Sequence, residues 1–428
     1  MRTANAAKHG AGFSPLLFIR ACLVVATFAL FAGCQSAGPR LILIGGGLEE
    51  DNDAVWEHLR PRQVDPHTPE LSSAATSDAG PLVVVVPLAS ADREQAVRNA
   101  RDRFGRRFPG VRVEQLGDPA STEAQRQVRA ADLIFFTGGD QSRITRTLLP
   151  DGRPSPVSLA LSQAASTGTV IAGTSAGCAV MSDPMFTGGG SEAALARLPV
   201  IVDEADSTMS ASEIARGVRL AQGLGLVPGT IMDSHALQRG RVGRMIAAVE
   251  ASEVKVAVGV ADNRAVAYEA RAFTAIGDHA AIVVDGREMH TQGLVRTGVR
   301  ITLLSDGDRL TLNGRWTPAP PPARGLTPSV DSGPSRLDRP PTEAAQGEYS
   351  PDATQNHPLE AWGPDVVVTL LAKLQADPNT IHSAFSERFE LRVRADRRTR
   401  FSHAVGMPQG AIRVHNAVLD VIPRESGP

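Results

Sequence analysis

Ile171-Ala172-Gly173-Thr174-Ser175-Ala176-Gly177-Cys178 sets one serine among small residues, directly after an apolar run and before a helix-forming one. A strand that turns into a helix within two residues needs small neighbours, and the strained turn lifts the hydroxyl at its apex into a cleft. Gly173-x-Ser175-x-Gly177 meets that need. The same turn places backbone N–H groups and a helix N-terminus beside the hydroxyl, where charge develops when a carbonyl is attacked. A Gly/Ser turn without chemistry has the same local look, so the rest of the chain must supply a frame and a base.

Upstream, Leu41-Ile42-Leu43-Ile44 runs into Gly45-Gly46-Gly47, the pattern of a buried parallel strand entering a tight βα turn. Further strands are predicted over 82–86, 111–116, 132–136 and 169–172, with helices over 89–108 and 143–167. This alternation implies an α/β fold, a mostly parallel sheet with helices on both faces. Residues 188–223 break the rhythm and read as an insertion near the sheet's edge. A strand over 230–232, a helix over 239–251 and strands over 256–260 and 265–269 follow, and the segments at 281–284 and 299–303 predict a small antiparallel patch. The main domain thus spans 40–315. Residues 317–351 are proline-rich and read as an extended linker, beyond which 352–428 form a C-terminal appendage of unknown role, able to dock back. Within it a helix is predicted over 365–376 and a strand over 389–395.

A formal net charge of −2 leaves no basic excess for a duplex, so no nucleic-acid partner is expected. With 42% hydrophobic and only 4% aromatic residues, the composition is that of an Ala/Val/Leu-rich enzyme. Cys22, Cys34 and Cys178 are the only cysteines and make no disulfide framework; Cys178 reads as a small buried hydrophobe. Arg2, Lys8 and Arg20 precede an apolar run that ends in Ala32-Gly33-Cys34, the layout of an export signal. That run is shorter than the roughly 20 apolar residues a membrane span needs. Leu30-Phe31-Ala32-Gly33-Cys34 resembles a bacterial lipobox, with Phe31 where leucine is usual. It makes 1–34 a lipoprotein signal peptide and Cys34 the lipidated residue of an exported, membrane-anchored protein, at the outer membrane, on the periplasmic face or outside the cell. A plain signal peptide with an incidental cysteine is the other reading.

A serine hydroxyl needs a base. Of the ten histidines, His235 follows the 230–232 strand in Asp233-Ser234-His235, at the strand end where open α/β sheets bind ligands. Next come Arg239, Arg241 and Arg244 at the opening of a helix, where cations oppose the dipole unless an anion pairs with them. Arg241 and Arg244 share a helical face, and guanidinium groups fit planar carboxylates, so these arginines are expected to face the cleft and bind substrate carboxylates. A solvated charged face is the plainer alternative.

Phe136-Thr137-Gly138-Gly139-Asp140-Gln141, the Ser175 turn, Asp233-x-His235 with Arg239-x-Arg241-x-x-Arg244, and Gly259-Val260-x-Asp262 stand in the order found in cyanophycinase and its serine peptidase relatives. Over about residues 40–312 the chain resembles that family. The resemblance implies a class I glutamine-amidotransferase-like fold and hydrolysis of cyanophycin, a poly-aspartate bearing arginine on each side chain, to β-aspartyl-arginine. It implies Ser175 as nucleophile, His235 as base and Asp262, usually glutamate in the family, as the acid that orients the imidazole. Asp233 and Glu192 are the rival acids. Gln141, Asp233, Ser234, Arg239, Arg241 and Arg244 resemble the substrate pocket, with Ser234 where cyanophycin-cleaving members carry glutamine. Backbone N–H groups at Gly139 and Ala176 are the expected oxyanion donors. Neither a metal nor an organic cofactor is called for. The expected partners are a cyanophycin-like or acidic peptide, the membrane through Cys34 and, by family habit, a second copy in a homodimer. An isoaspartyl or acidic-peptide dipeptidase, which Ser234 favours, and a surface-binding lipoprotein with a dead site remain the alternatives.

Overall fold

Leu41 to Ile44 are all fully buried, and a strand apolar on both faces must lie in the middle of a layered sheet. β1 (Arg40–Ile44) takes that place. Beside it lie β2 (Leu82–Val86), β3 (Arg112–Gln115), β4 (Leu133–Phe136) and β5 (Val170–Thr174), parallel and in the spatial order β1-β5-β4-β2-β3. The computed structural model describes residues 40–61, 80–196, 200–201, 218–319, 366–386, 388–402 and 412–424. The predicted leader with Cys34 and nearly all of the predicted linker fall outside them.

Helices α1 (Asp53–His58), α2 (Arg93–Arg107), α3 (Thr122–Ala130), α4 (Gln141–Leu148) and α5 (Pro156–Ser166) connect these strands. Each starts on a side chain that accepts a first-turn N–H: Asn52, Asp92, Ser121, Asp140 and Ser155. The single helix predicted over 143–167 is two, because Pro150-Asp151-Gly152 turns the chain and Ser155-Pro156 starts it afresh. Strand alternation sends Ile42, Ile44, Val83 and Val85 against Val55, Trp56 and Phe104 of α1 and α2. Leu41, Leu43, Val84 and Val86 meet Val128, Val157 and Leu161 of α3 and α5. Both faces of the parallel sheet are therefore covered, as predicted.

α6 (Ala176–Ala179) follows β5 at once. The insertion holds β6 (Met185–Gly188), α7 (Ser191–Ala196), β7 (Val200–Ile201) and β8 (Arg219–Ala221), its strands forming a small separate sheet. β9 (Ile231–Asp233) and β10 (Val256–Val260), joined through α8 (Val242–Ala251), are parallel and open a second large sheet. β11 (Ala265–Glu269) and β12 (Ala272–Ile276) return to the first sheet, on the far side of β1. β13 (Ala281–Asp285), β14 (His290–Gln292) and β15 (Val295–Leu304) extend the second, and β16 (Arg309–Thr311) and β17 (Trp316–Thr317) close the first.

After α9 (Val366–Ala376) come β18 (His382–Phe385), β19 (Phe389–Arg394), β20 (Arg400–Phe401) and β21 (Val414–Pro423). β21 lies between β15 and β19, so the second sheet runs β18-β19-β21-β15-β13-β10-β9. One expectation changes. The antiparallel part is no small patch: from β11 onward every pairing is antiparallel. The C-terminal segment has docked back as an integral layer. Leu370, Leu371 and Leu374 share one core with Phe389, Leu391 and Leu419 and with Met245 and Ile246 of α8. The buried Arg413–Asp308 pair fastens the start of β21 beside β16. Among the described residues no helix is long and apolar enough to cross a membrane.

Candidate active site

Ser175 caps the turn from β5 into α6 at φ 53° and ψ −113°, a backbone state that costs a residue with a β-carbon about 1–3 kcal/mol. Its two glycine neighbours make the turn possible. A β-carbon on Gly173 would lie 2.1 Å from the Gly177 carbonyl oxygen, and one on Gly177 would lie 2.5 Å from that of Phe136. The Ser175 N–H donates to the Ile44 carbonyl at 3.0 Å and ties the turn to β1.

His235 comes from the second sheet, two residues past β9. Its Nε2 is 2.7 Å from Ser175 Oγ, and its Nδ1 meets Asp262 Oδ1 directly. With Nδ1–H donating to the carboxylate, Nε2 is left to accept the serine proton; this tautomer is assigned from the partners. Asp262 stands just past β10, the parallel neighbour of β9, so two adjacent strand ends deliver the imidazole and the carboxylate it meets. The Asp262 N–H donates to Gln238 Oε1 at 2.8 Å. Aspartate, one methylene shorter than the family's usual glutamate, still reaches the ring.

Burial disfavours the imidazolium and lowers the His235 pKa below 6.5; Asp262 pulls it upward, while Arg239 and Arg241 push it down. The ring is therefore neutral at neutral pH, the form a general base needs. Burial also acts to raise the Asp262 carboxyl, but His235, Arg239 and Arg241 outweigh it and hold the group below 3.8. The result is a neutral imidazole beside an ionised carboxylate.

Gly46, at φ +133°, lies against the imidazole: a β-carbon there would sit 2.1 Å from His235 Cε1. The glycine run read as a tight turn is thus also the floor under the His235 ring. Gly46→Ala is expected to push the ring off Ser175 and to lower kcat about 100-fold or more, since a displacement of about 1 Å costs that much. Circular dichroism would check that the fold survives; wild-type kcat would remove Gly46 from this role.

Gly138-Gly139 crosses the other side of the nucleophile, where a β-carbon on Gly138 would come within 3.3 Å of Ser175 Cβ. Gly139, at φ +135°, leaves no room for one either, with the Ala89 carbonyl oxygen 2.2 Å away. Ala176 opens α6, so its N–H has no acceptor within its own helix. Both expected oxyanion donors stand on segments that adjoin Ser175.

The expected substrate pocket takes a different form. Asp233 is fully buried and accepts from the Ser234 N–H at 2.8 Å, Arg241 Nη1 at 3.2 Å, Arg244 Nε at 2.7 Å and Arg244 Nη2. Arg244 is buried as well; its Nη1 donates to the Gly189 carbonyl at 3.0 Å and its guanidinium lies 4.8 Å from the Phe186 ring centre. Arg244 and Asp233 therefore do not face the cleft. A carboxylate shut away from water needs compensating cations, and the helix-opening arginines supply them. Their anionic partner exists, but it is a residue of the protein. Burial alone would raise the Asp233 carboxyl; Arg244 and Arg241 overcome that and hold it below its ordinary value.

Ser234 is buried, and its carbonyl accepts from Arg241 Nη1 at 2.8 Å. Gln141 Nε2 donates to the Phe186 carbonyl and holds β6. The charge of Arg239, like that of Arg241, bears on His235 and Asp262. Of the rival acids, Asp233 is committed to arginines, and Glu192 accepts from Ser386 Oγ of the C-terminal segment. Cys178 is buried, and that burial, with Asp233 nearby, raises its thiol far above the ordinary range, as an inert core residue requires. Among the described residues no cluster of His, Cys, Asp and Glu could hold a metal.

The sequence model of peptidase family S51 matches residues 57–290, a stretch that contains Ser175, His235 and Asp262. The cyanophycinase of Trichormus variabilis is 30% identical over 250 residues, which cover 54% of this chain and 76% of that protein; that of Nostoc sp. gives the same figures. The cyanophycinase of Synechococcus elongatus is 29% identical over 244 residues, covering 53% and 68%. Among solved structures, a peptidase from an acI-B1 Actinobacterium superposes with a TM-score of 0.43 at 17% identity, over 64% of this chain and 98% of that one. The match spans the strained serine turn and the strand ends that bear the histidine and its acid, and the chain belongs to peptidase family S51, a serine-type peptidase.

Proposed function

We propose that this peptidase hydrolyses cyanophycin, or a related aspartyl/arginine-rich polymer, to β-aspartyl dipeptides through an acyl-enzyme on Ser175. The observation that carries the proposal is the hydrogen-bonded series Ser175, His235, Asp262, set in a region similar to cyanophycinases. His235 Nε2 takes the hydroxyl proton as Oγ attacks the peptide carbonyl, and the N–H groups of Gly139 and Ala176 receive the oxyanion. The imidazolium, steadied by Asp262, gives the proton to the leaving amine as the C–N bond breaks. Water, deprotonated by the same ring, then releases the acyl group and Ser175 regains its proton.

A second reading, an isoaspartyl or acidic-peptide dipeptidase, gains support from the buried Asp233 cluster. Charges expected to read a polymer's side chains are there spent on one another. The intact contacts among the three catalytic side chains weigh against a binding protein with a dead site. Export with a lipid on Cys34, and a homodimer, belong to the same proposal and rest on the sequence.

Incubating the full chain with cyanophycin granules and, separately, with isoaspartyl dipeptides decides between the readings, with Ser175→Ala as control. The polymer should yield β-aspartyl-arginine. Its rate should rise with pH along a limb whose midpoint lies below 6.5, because the depressed His235 pKa keeps the base form down to lower pH. Cleavage of the dipeptides alone would select the second reading, and cleavage of neither would reject both.

A further inference from the structure

We infer that Asp233, Arg241 and Arg244 form a buried clamp that positions the general base, with Asp233 a positioning residue and not a substrate contact. The inference rests on the assignment of His235 as base. His235 sits at φ +50°, a state a residue with a β-carbon keeps only where its surroundings over-determine it. The His235 N–H donates to the Gly45 carbonyl at 3.0 Å and its carbonyl accepts from the Arg239 N–H at 3.0 Å, while the clamp holds the residues on either side. One Asp233 oxygen accepts the Ser234 N–H at 2.8 Å, and Arg241 Nη1 donates to the Ser234 carbonyl at 2.8 Å. Both backbone polar groups of the residue before His235 are thus held. The Arg241 N–H donates to the Ala236 carbonyl at 2.8 Å and holds the residue after it.

The clamp is anchored in three parts of the fold. Asp233 ends β9, Arg244 projects from α8, and Arg244 Nη1 reaches Gly189 of the insertion. Ser191 Oγ accepts the Arg244 N–H at 3.1 Å and donates to the Gly240 carbonyl at 2.6 Å, which locks α8 to α7. Asp233 is 0% and Arg244 6% exposed, so no substrate group meets them unless the clamp is taken apart. The charged groups that bear on the ring itself are Asp262 from the end of β10 and Arg239 and Arg241 from the turn before α8.

The test needs a readout of His235 that does not depend on the peptide substrate. Phenylmethanesulfonyl fluoride provides one: Ser175 Oγ bonds to sulfur, fluoride leaves, and His235 takes the hydroxyl proton. In Asp233→Asn, labelling of Ser175 is expected to slow about 10- to 100-fold, as a small displacement of the base would produce. The kcat for cyanophycin should fall by a similar factor with KM within about twofold, the pattern of a contact felt in the transition state. The midpoint of the labelling rate against pH should move down, because the Arg241 guanidinium, which already pushes the ring's pKa down, then stands without its carboxylate partner. A merely structural Asp233 would leave the rate and midpoint of the folded protein unchanged, and a substrate-binding Asp233 would raise KM alone; either result overturns the inference.

A second variant guards against loss of folding. Arg241→Gln alters a partly exposed side chain, keeps the Asp233–Arg244 pair, loses the Nη1 bonds to Asp233 and to the Ser234 carbonyl, and should slow labelling about 3- to 10-fold, as a displacement of the base of well under about 1 Å would produce. Labelling at the wild-type rate in Arg241→Gln would also overturn the clamp. Rapid labelling of the wild type with cyanophycin left intact would instead refute the proposed substrate and leave the clamp standing.

Discussion

Ser175→Ala is expected to lower kcat by four or more orders of magnitude, about 10⁴- to 10⁶-fold, with little change in thermal stability. The substitution removes one hydroxyl, adds no volume and keeps the β-carbon already accommodated at φ 53°. What it deletes is the atom that would form the bond to the acyl group. His235→Ala should be as damaging, because without a base the hydroxyl 2.7 Å away keeps its proton. The double variant should be no worse than either single one, since the two side chains act as a unit. Steady-state kinetics on the three proteins measures this. Losses that multiply in the double variant would mean that the two residues contribute independently.

Asp262→Asn should cost about 10³- to 10⁴-fold in kcat with KM nearly unchanged. The carboxylate accepts from His235 Nδ1 and so keeps the proton off Nε2, which faces the serine. An amide can present its NH₂ group to Nδ1 instead, and the ring then holds its proton on the wrong nitrogen. Asp262→Glu restores the family's usual acid and should retain most activity. Glu192→Gln should have little effect, because Glu192 meets Ser386 and makes no contact with the ring. A large loss in Glu192→Gln, with Asp262→Asn near wild type, would reassign the acid. The depressed Asp262 pKa also carries a sign for stability. Its contribution is present above the carboxyl's unfolded value and is lost as pH falls through the lower folded one, so Asp262→Asn should flatten acid unfolding on that side.

The parallel half of the fold was legible because most of its strands are apolar runs, two of which meet glycine at Ile44-Gly45 and Ala172-Gly173. The strained serine turn was legible as well, since small residues about one serine are a local signal of a tight strand-to-helix turn. In the C-terminal segment the helix over 366–376 and the strand over 389–394 were legible, but the pairing of β21 was not. In β21 the buried and half-exposed positions do not alternate regularly, and its partner β15 lies more than a hundred residues upstream, so no local pattern announces the pairing. Arg241 and Arg244 show a different limit. Their position at a helix opening signalled an anionic partner, and one is there, but sequence could not tell a substrate carboxylate from the buried Asp233. Gly46 shows a third. The glycine was visible, whereas its need to leave room for the His235 ring arises only when the two sheets meet.

The covalent step on Ser175 is the centre of the account. The most direct measurement is rapid acid quenching of the protein during turnover of cyanophycin, followed by mass spectrometry of its proteolytic fragments. The fragment that bears Ser175 should carry the added mass of the acyl portion of the substrate, and the same fragment from Ser175→Ala should carry none. Turnover with no adduct, an adduct on another residue, or hydrolysis by Ser175→Ala at the wild-type rate would contradict it.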